Sequence, residues 1–403
     1  MTHALPRRTY LYFIAQSINL TTAVMSVTMA AIVGSALAPA AYLSTVPYGC
    51  QFLFLMLATY PASMLMNRIG RKKAFMLGST PLVISGVSGF WAVEHQSFSI
   101  LVISHAALGV YIAFANFNRF AATDNLDHGL KPRAISLVVA GGIIAALIGP
   151  VLTELLRDLG GYSLFSLCYA SFIGLAALSL LLSSCLPNDS AVTAAPAGSE
   201  PSAQEQRPPI TATGAIAMAV AAFGYGIMNL LMIQASMHMK NMHEDFSDVR
   251  LAIQWHVVAM FAPSFFTGAI INRLGIKTTI CAGLIMLAGC AAINICSNSY
   301  AAMSMSLIIL GLGWNLTYVG GGALLAQALQ NTPGAIQVQG KNDLAIAVFA
   351  TIGAFSPSLL LATVGWEGTN IMCMLLSIAL LAATAGLLAK NPQPDYPMEG
   401  SRE

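Results

Sequence analysis

Two histidines, His105 and His256, lie well inside long apolar stretches of the sequence. An imidazole titrates near neutral pH, so either side chain could take up and release a proton. The alternative is a structural role, in which the buried ring bonds to a backbone carbonyl. No carboxylate lies at the centre of an apolar stretch, although Glu154 and Asp343 lie near the ends of two of them. Proton exchange at His256 or Asp343 is therefore one hypothesis, and a hydrogen-bonded histidine with Asp343 as a helix cap is the other.

The sequence lacks the short motifs of common enzymes. It contains no GxxxxGK(S/T) phosphate loop, no GxSxG nucleophile motif and no HExxH zinc motif. The seven cysteines are scattered singly, which is typical of small packing residues. Four methionines near His238 and His243 could attract a thiophilic metal, but a chain with 20 methionines produces such clusters by chance. We therefore expect no enzyme activity, no metal, no cofactor and no nucleic acid partner.

The composition of the whole chain indicates a membrane protein. Hydrophobic residues make up 57% of the 403 residues, and charged residues only 8%, against roughly a quarter in soluble domains. A spanning helix needs about 20 mostly apolar residues. Twelve such spans are predicted, at residues 10–36, 41–66, 73–94, 98–121, 133–156, 162–186, 212–238, 250–271, 278–297, 300–328, 342–364 and 368–390. These runs are too long and too continuously apolar for the alternating strands of a membrane barrel.

Basic residues fall mainly on one side of these spans. If the N-terminus is cytoplasmic, only Arg157, Lys240 and Arg250 of the 18 Lys and Arg residues lie on the opposite side. Cytoplasmic loops carry the excess of Lys and Arg in membrane proteins. We therefore predict a multi-pass protein of the inner membrane, in contact with the lipid bilayer, with both termini cytoplasmic.

The chain divides into two halves of six spans each. Residues 1–186 and 212–390 are predicted to form the two six-helix bundles. Residues 187–211 are rich in Pro, Ala, Ser and Gln, which is typical of a flexible linker, and 391–403 form a cytoplasmic tail. The sequence Asn-Arg-x-Gly recurs at an offset of 205 residues after spans 2 and 8, which indicates a duplicated unit.

The loop after span 2 resembles the signature loop of the major facilitator superfamily. The matching residues are Asn67, Arg68, Gly70 and Arg71, with Asn272 and Arg273 in the weaker copy after span 8 and Gly149 and Pro150 in a Gly-Pro motif of span 5. The family has glycine and aspartate where this chain has Ser63 and Asn67, and an amide brings no charge. The resemblance implies an all-α membrane protein with 12 transmembrane helices in two six-helix bundles, the MFS fold, and a gating role for the matching residues.

The same resemblance implies that spans 1, 4, 7 and 10 line a central cavity. Their polar and aromatic residues are Gln16, Asn19, Asn116, Tyr225, Asn229, Gln234, Trp314, Asn315 and Tyr318. Apolar walls with a few placed polar groups suit a small organic ligand. Alternatively, such side chains hold neighbouring helices together. Further segments, including Gly311 to Asn315 and Gln339 to Asp343, resemble a bacterial subgroup of permeases.

Arg119 is the cation placed deepest in a predicted span. A charge inside a membrane is costly and marks either a paired or a functional group. Arg119 either pairs with Asp124 or faces the transport pathway and controls gating. Further residues with a predicted gating or coupling role are Asp124, His256 and Asp343.

These features predict a secondary transporter that moves a small organic solute by alternating access. Efflux is the first hypothesis, with proton coupling left open. The alternatives are a nutrient uptake permease and a non-transporting membrane sensor or assembly protein with the same fold. The expected partners are the solute and the bilayer, and the expected state is a monomer.

Overall fold

The computed structural model describes residues 5–122, 124, 126, 134, 137–187, 210–329 and 335–390, with backbone alone at 335–337, 339–340 and 387–390. Most of the expected linker, 188–209, and the expected tail, 391–403, lie outside the described residues. The described residues are almost entirely helical and include no β-strand.

The helices are numbered by the span to which each corresponds. The first six are α1 Arg7–Leu37, α2 Val46–Ile69, α3 Arg71–Glu94, α4 Phe98–Ala121, α5 Leu137–Leu156 and α6 Ser166–Ser184. The others are α7 Ala212–Asn241, α8 Phe246–Phe261 with Ser264–Leu274, α9 Ile276–Cys296, α10 Tyr300–Ala328, α11 Ala335–Thr363 and α12 Gly365–Lys390. Short breaks divide α3 after Gly78 and α4 after Ala115.

The described helices agree with the predicted twelve spans. Eleven are long and apolar enough to cross a membrane singly, and the two parts of α8 form the twelfth. The parts of α8 meet at Pro263 with a bend of 48°. Proline lacks the amide hydrogen that would continue the helical hydrogen bonds, so a bend at this position is expected.

The two halves pack their helices in the same pattern. In the first half α1 packs on α5, α2 on α4, and α3 on both α4 and α6. In the second half the corresponding contacts are α7 on α11, α8 on α10, and α9 on both α10 and α12. The repeated Asn-Arg-x-Gly sequence therefore coincides with a repeated arrangement of helices.

Small residues allow the closest helix contacts inside each half. A Cβ at Gly109 of α4 would lie 2.1 Å from the backbone oxygen of Gln51 in α2. A Cβ at Gly353 of α11 would lie 2.3 Å from the backbone oxygen of Gly226 in α7. Lipid tails are as apolar as leucine, so close packing of this kind supplies much of the association energy between helices in a membrane.

The halves meet along α2 and α11, α5 and α8, and α1 and α7. We call the end formed by the α1–α2, α5–α6 and α7–α8 connections the closed end. The opposite end, which holds Arg8, Arg71 and the repeated Asn-Arg-x-Gly loops, is the basic end.

Candidate functional site

A cavity of about 570 Å³ lies between the two halves, toward the basic end. Its walls come from α2 and α4 of the first half and from α7, α10 and α11 of the second. Apolar side chains such as Phe52, Leu55 and Met56 form much of the wall. The polar and aromatic groups that also line it are Thr59, Tyr60, Ser63, Asn116, Arg119, Tyr225, Tyr318 and Asp343. This size and this mixture of groups are typical of sites for small organic molecules.

Two cavity-lining tyrosines, Tyr225 and Tyr318, pack against Trp314, which is buried and does not itself line the cavity. The rings of Trp314 and Tyr318 are stacked, with centroids 5.0 Å apart and an interplanar angle of 14°. Tyr225 meets Trp314 edge to face at 5.5 Å. The indole Nε1 of Trp314 is buried and has no hydrogen-bond partner among the described residues. The two tyrosines therefore present aromatic surface to the cavity, and Trp314 packs against them.

Three predicted cavity residues line the observed cavity: Asn116, Tyr225 and Tyr318. Behind Asn116, the amide nitrogen of Asn19 donates to Asn116 Oδ1 at 3.1 Å and approaches Gln16 Oε1 at 3.4 Å. Asn19 and Gln16 are buried. They therefore position Asn116 rather than form the cavity wall.

The other predicted polar residues lie in contacts between helices. Asn229 Nδ2 donates to the Ala350 carbonyl at 3.1 Å, and Gln234 Nε2 donates to the Pro357 carbonyl at 3.1 Å. Asn315 Nδ2 donates to the Met260 carbonyl at 2.8 Å, next to the bend in α8. These three bonds match the alternative of hydrogen bonding between helices.

Asp124 pairs with Arg71 and not with Arg119. The carboxylate accepts hydrogen bonds from Arg71 Nε and, at 3.0 Å, from Arg71 Nη2. Arg8 donates to the Asp124 backbone carbonyl. The hypothesis of an Arg119–Asp124 ion pair is therefore wrong, because a different arginine occupies this carboxylate. Arg119 instead lines the cavity, with its guanidinium 4.6 Å from the centre of the Phe120 ring.

We predict a small loss of stability for Asp124→Asn. The Arg71 and Asp124 side chains are 22% and 27% exposed, and such partly solvated pairs contribute about 1 kcal/mol or less. A double-mutant cycle of Asp124→Asn with Arg71→Gln, read by thermal unfolding in detergent, isolates the pair. In the Asp124→Asn background, Arg71→Gln is expected to cause little further loss of stability. Fully additive losses would show that the pair contributes no coupling energy.

Asp343 does not cap its helix. Helix α11 begins at Ala335, so Asp343 lies in its third turn, where it lines the cavity. The capping hypothesis placed the helix start too late, because residues 335–341, which include the polar Gln339 and Lys341, are already helical. His105 and His256 are both buried. His256 Nδ1 lies 2.7 Å from the Leu307 carbonyl, and His105 contacts Gln51 and Tyr169.

The two loops that contain the repeated Asn-Arg-x-Gly sequence share one backbone conformation. Gly70 has φ +81° and ψ 159°, and Gly275 has φ +83° and ψ 154°. Residues other than glycine rarely adopt a positive φ, which accounts for the glycine at the same position in both copies of the sequence. Asn67, Arg68, Asn272 and Arg273 are exposed.

Gly149 and Pro150 lie in a continuous part of α5. A Cβ at Gly149 would lie 3.0 Å from Val24 Cβ, so glycine permits α5 to approach α1. This pair of residues therefore contributes to helix packing inside the first half.

Hydrogen bonds join the two halves at the closed end. Thr45 Oγ1 and Ser358 Oγ lie 2.7 Å apart, and Ser358 Oγ also donates to the Tyr42 carbonyl at 2.7 Å. Lys240 Nζ donates to Ser35 Oγ at 2.7 Å. These contacts connect α1 and α2 with α7 and α11.

A charged cluster adds to this closure. Glu154 Oε1 accepts from Ser247 Oγ at 2.9 Å, and Glu154 Oε2 lies 3.6 Å from Arg250 Nε. Arg157, which is 3.2 Å from Glu154, places its guanidinium 4.8 Å from the centre of the Phe246 ring. Sequence reasoning did not identify this cluster. One sequence feature pointed to it, because Arg157, Lys240 and Arg250 are the exceptions to the charge asymmetry. In the structure, each of these three residues contacts the other half.

Comparison with known proteins identifies the family to which the chain belongs. The sequence profile of the Major Facilitator Superfamily matches residues 11–330. The chain is 33% identical over 364 residues to "Riboflavin transporter RfnT" of Brucella anthropi, covering 89% of each chain. It is 26% identical over 332 residues to "Uncharacterized MFS-type transporter YdeG" of Bacillus subtilis, covering 78% of this chain and 75% of the relative. With twelve helical spans and a cavity between its halves, the chain belongs to the major facilitator superfamily of membrane transporters.

Proposed function

We propose that this transporter carries riboflavin, or a neutral flat ring compound of the same kind, by alternating access. The observation that carries the proposal is the Tyr225–Trp314–Tyr318 cluster beside the cavity between the halves. A fused aromatic ring system gains from stacking on the tyrosine faces that line the cavity. The relative at 33% identity is named for riboflavin transport, which supports the same class of substrate.

The proposal includes an orientation and a division into domains. We place the basic end in the cytoplasm of a bacterial inner membrane, with both termini inside, because Lys and Arg collect there. Residues 1–186 and 212–390 are the two moving bundles, and 187–211 connect them on the cytoplasmic side. Polar contacts join the halves at the closed end, while the cavity lies toward the basic end. In the proposed orientation, this arrangement supports an inward-facing state. We propose that a monomer suffices for transport.

In the proposed gating mechanism, the two ends of the protein open and close alternately. At the basic end, the loops around Gly70 and Gly275 come together when the cavity closes toward the cytoplasm. At the closed end, the Glu154 cluster and the bond between Thr45 and Ser358 separate when the cavity opens outward. This assignment follows the general pattern in which two related bundles rock around a central site.

Riboflavin flux in proteoliposomes tests the proposed function. Purified protein is expected to accelerate riboflavin equilibration over empty liposomes, and inside and outside loading reveals the direction of transport. A pH gradient in one arm tests proton coupling. Riboflavin binding without flux would support the sensor alternative, and a folded protein that neither binds nor transports riboflavin would contradict the proposal.

Tyr318→Ala is the informative variant for this assay. Loss of one stacking face is expected to weaken riboflavin binding by roughly 3- to 10-fold. Tyr318→Phe keeps the ring and is expected to bind like the unmodified protein. Tyr10→Ala removes an exposed tyrosine of α1 as the matched control. If Tyr318→Ala binds riboflavin with the affinity of the unmodified protein, the aromatic cluster does not bind the flavin ring.

A further inference from the structure

The cavity wall contains one charge from each half. Arg119 of α4 and Asp343 of α11 are the charged residues among the described side chains that line it. They form no ion pair with each other. The wall therefore carries one positive and one negative group with no net charge.

Arg119 is half-buried and Asp343 is exposed, and both border the cavity where they can contact a ligand. Arg119 Nε is buried and has no hydrogen-bond partner among the described residues, because the nearby carboxylate of Asp124 is bonded to Arg71. The polar contact described for Asp343 is the Asn342 amide at 3.4 Å. Charged groups beside an apolar cavity gain strongly from hydrogen bonds with a ligand.

This pair of charges restricts the net charge of the ligand. An anion would be attracted by Arg119 and repelled by Asp343, and a cation would meet the reverse. A neutral ligand avoids both penalties if it offers an acceptor to Arg119 and a donor to Asp343 at the same time. Tyr225 and Tyr318 on the same cavity wall add the preference for a flat ring that can stack on them.

A cyclic imide, in which one N–H lies between two carbonyl groups, meets all three requirements. We propose that Arg119 and Asp343 select a neutral ring compound by its cyclic imide edge. Arg119 donates to an imide carbonyl oxygen, and Asp343 accepts from the imide N–H. This inference rests on the proposed function, since riboflavin carries such an edge on its ring system.

Three flavins test the inference with the full-length protein in lipid nanodiscs. Riboflavin, N3-methylriboflavin and riboflavin 5′-phosphate are titrated, and binding is read from the quenching of flavin fluorescence. N3-methylation removes the donor for Asp343, whereas the 5′-phosphate lies on the ribityl chain, away from the imide edge. N3-methylation is expected to weaken binding roughly 10-fold or more and phosphorylation less, because only methylation removes a hydrogen bond to a charged group.

Asp343→Asn separates the charge effect from general damage. The amide offers a neutral acceptor in place of the carboxylate, so the affinity ratio of riboflavin to N3-methylriboflavin is expected to fall to within roughly 3-fold. Asp158→Asn, at an exposed position at the closed end, is the control and keeps the original ratio. Circular dichroism and size-exclusion profiles confirm that both variants are folded.

The outcomes distinguish the two proposals. Equal binding of riboflavin and N3-methylriboflavin would overturn the imide inference and leave the proposed function in place. An unchanged ratio in Asp343→Asn would overturn the role of Asp343. If folded protein binds none of the three flavins, both the proposed function and the inference fail.

Discussion

Oxidising the double variant Thr45→Cys/Ser358→Cys is expected to stop transport almost completely, and reduction is expected to restore it. The two hydroxyl oxygens lie 2.7 Å apart, which brings the side chains within the range that a disulfide requires. Thr45 precedes α2 in the first half, and Ser358 lies in α11 of the second. A covalent bond between them holds the closed end together, and alternating access requires that end to open. Flux of labelled riboflavin in proteoliposomes, before and after oxidation, measures the effect.

A second cysteine pair supplies the matched control. Ser85 and Ser104 lie in α3 and α4 of the same half, with their hydroxyls 3.3 Å apart. Oxidised Ser85→Cys/Ser104→Cys is expected to retain flux, because the bond joins helices that move together. Each single cysteine variant, treated with the same oxidant, controls for the seven native cysteines. Full flux through a chain cross-linked at 45 and 358 would show that the closed end does not open during transport.

Gly353→Ala is expected to cause the largest loss of stability among conservative substitutions in the second half. The added Cβ would lie 2.3 Å from the Gly226 backbone oxygen, so α7 and α11 must move apart. A backbone atom in a helix cannot turn away as a side chain can, and overpacking of this kind costs about 1–3 kcal/mol. Thermal unfolding in detergent and the yield of monodisperse protein measure the loss.

Two other glycines of the same half make the comparison specific. A Cβ at Gly289 of α9 or at Gly322 of α10 meets no atom within 4 Å. Gly289→Ala and Gly322→Ala are therefore expected to keep or slightly raise stability, because alanine favours the helix. If Gly353→Ala unfolds at the same temperature as these controls, the close contact of α7 with α11 does not limit stability.

The spans were predictable from sequence because each is a long apolar run separated by polar residues. Interruptions inside the spans were harder to predict. Pro263 coincides with the bend in α8, whereas Pro61, Pro150 and Pro357 lie inside continuous helices. In a membrane, neighbouring helices and local adjustments can satisfy the backbone groups that a proline frees. A proline therefore predicts a place where a helix can bend, and packing determines whether it does.

The site was predictable only in part, because these helices are apolar on nearly all faces. An amphipathic helix reveals its buried side by its pattern, but a helix surrounded by lipid and protein does not. Sequence alone could therefore assign Asn315 and Tyr318 to one helix without showing that Tyr318 lines the cavity and Asn315 bonds to the Met260 carbonyl. Likewise, sequence proximity favoured Asp124 as the partner of Arg119, while the fold brings Arg71 to it.

The three cations at the closed end have a consequence for how the protein is made. Arg157, Lys240 and Arg250 each contact the opposite half. In the proposed orientation all three must be carried across the membrane during insertion, against the bias that keeps Lys and Arg in the cytoplasm. Their contacts exist only after both halves have been synthesised and assembled. In this orientation, their presence is therefore explained by the contacts they make in the assembled transporter and not by the way its helices enter the membrane.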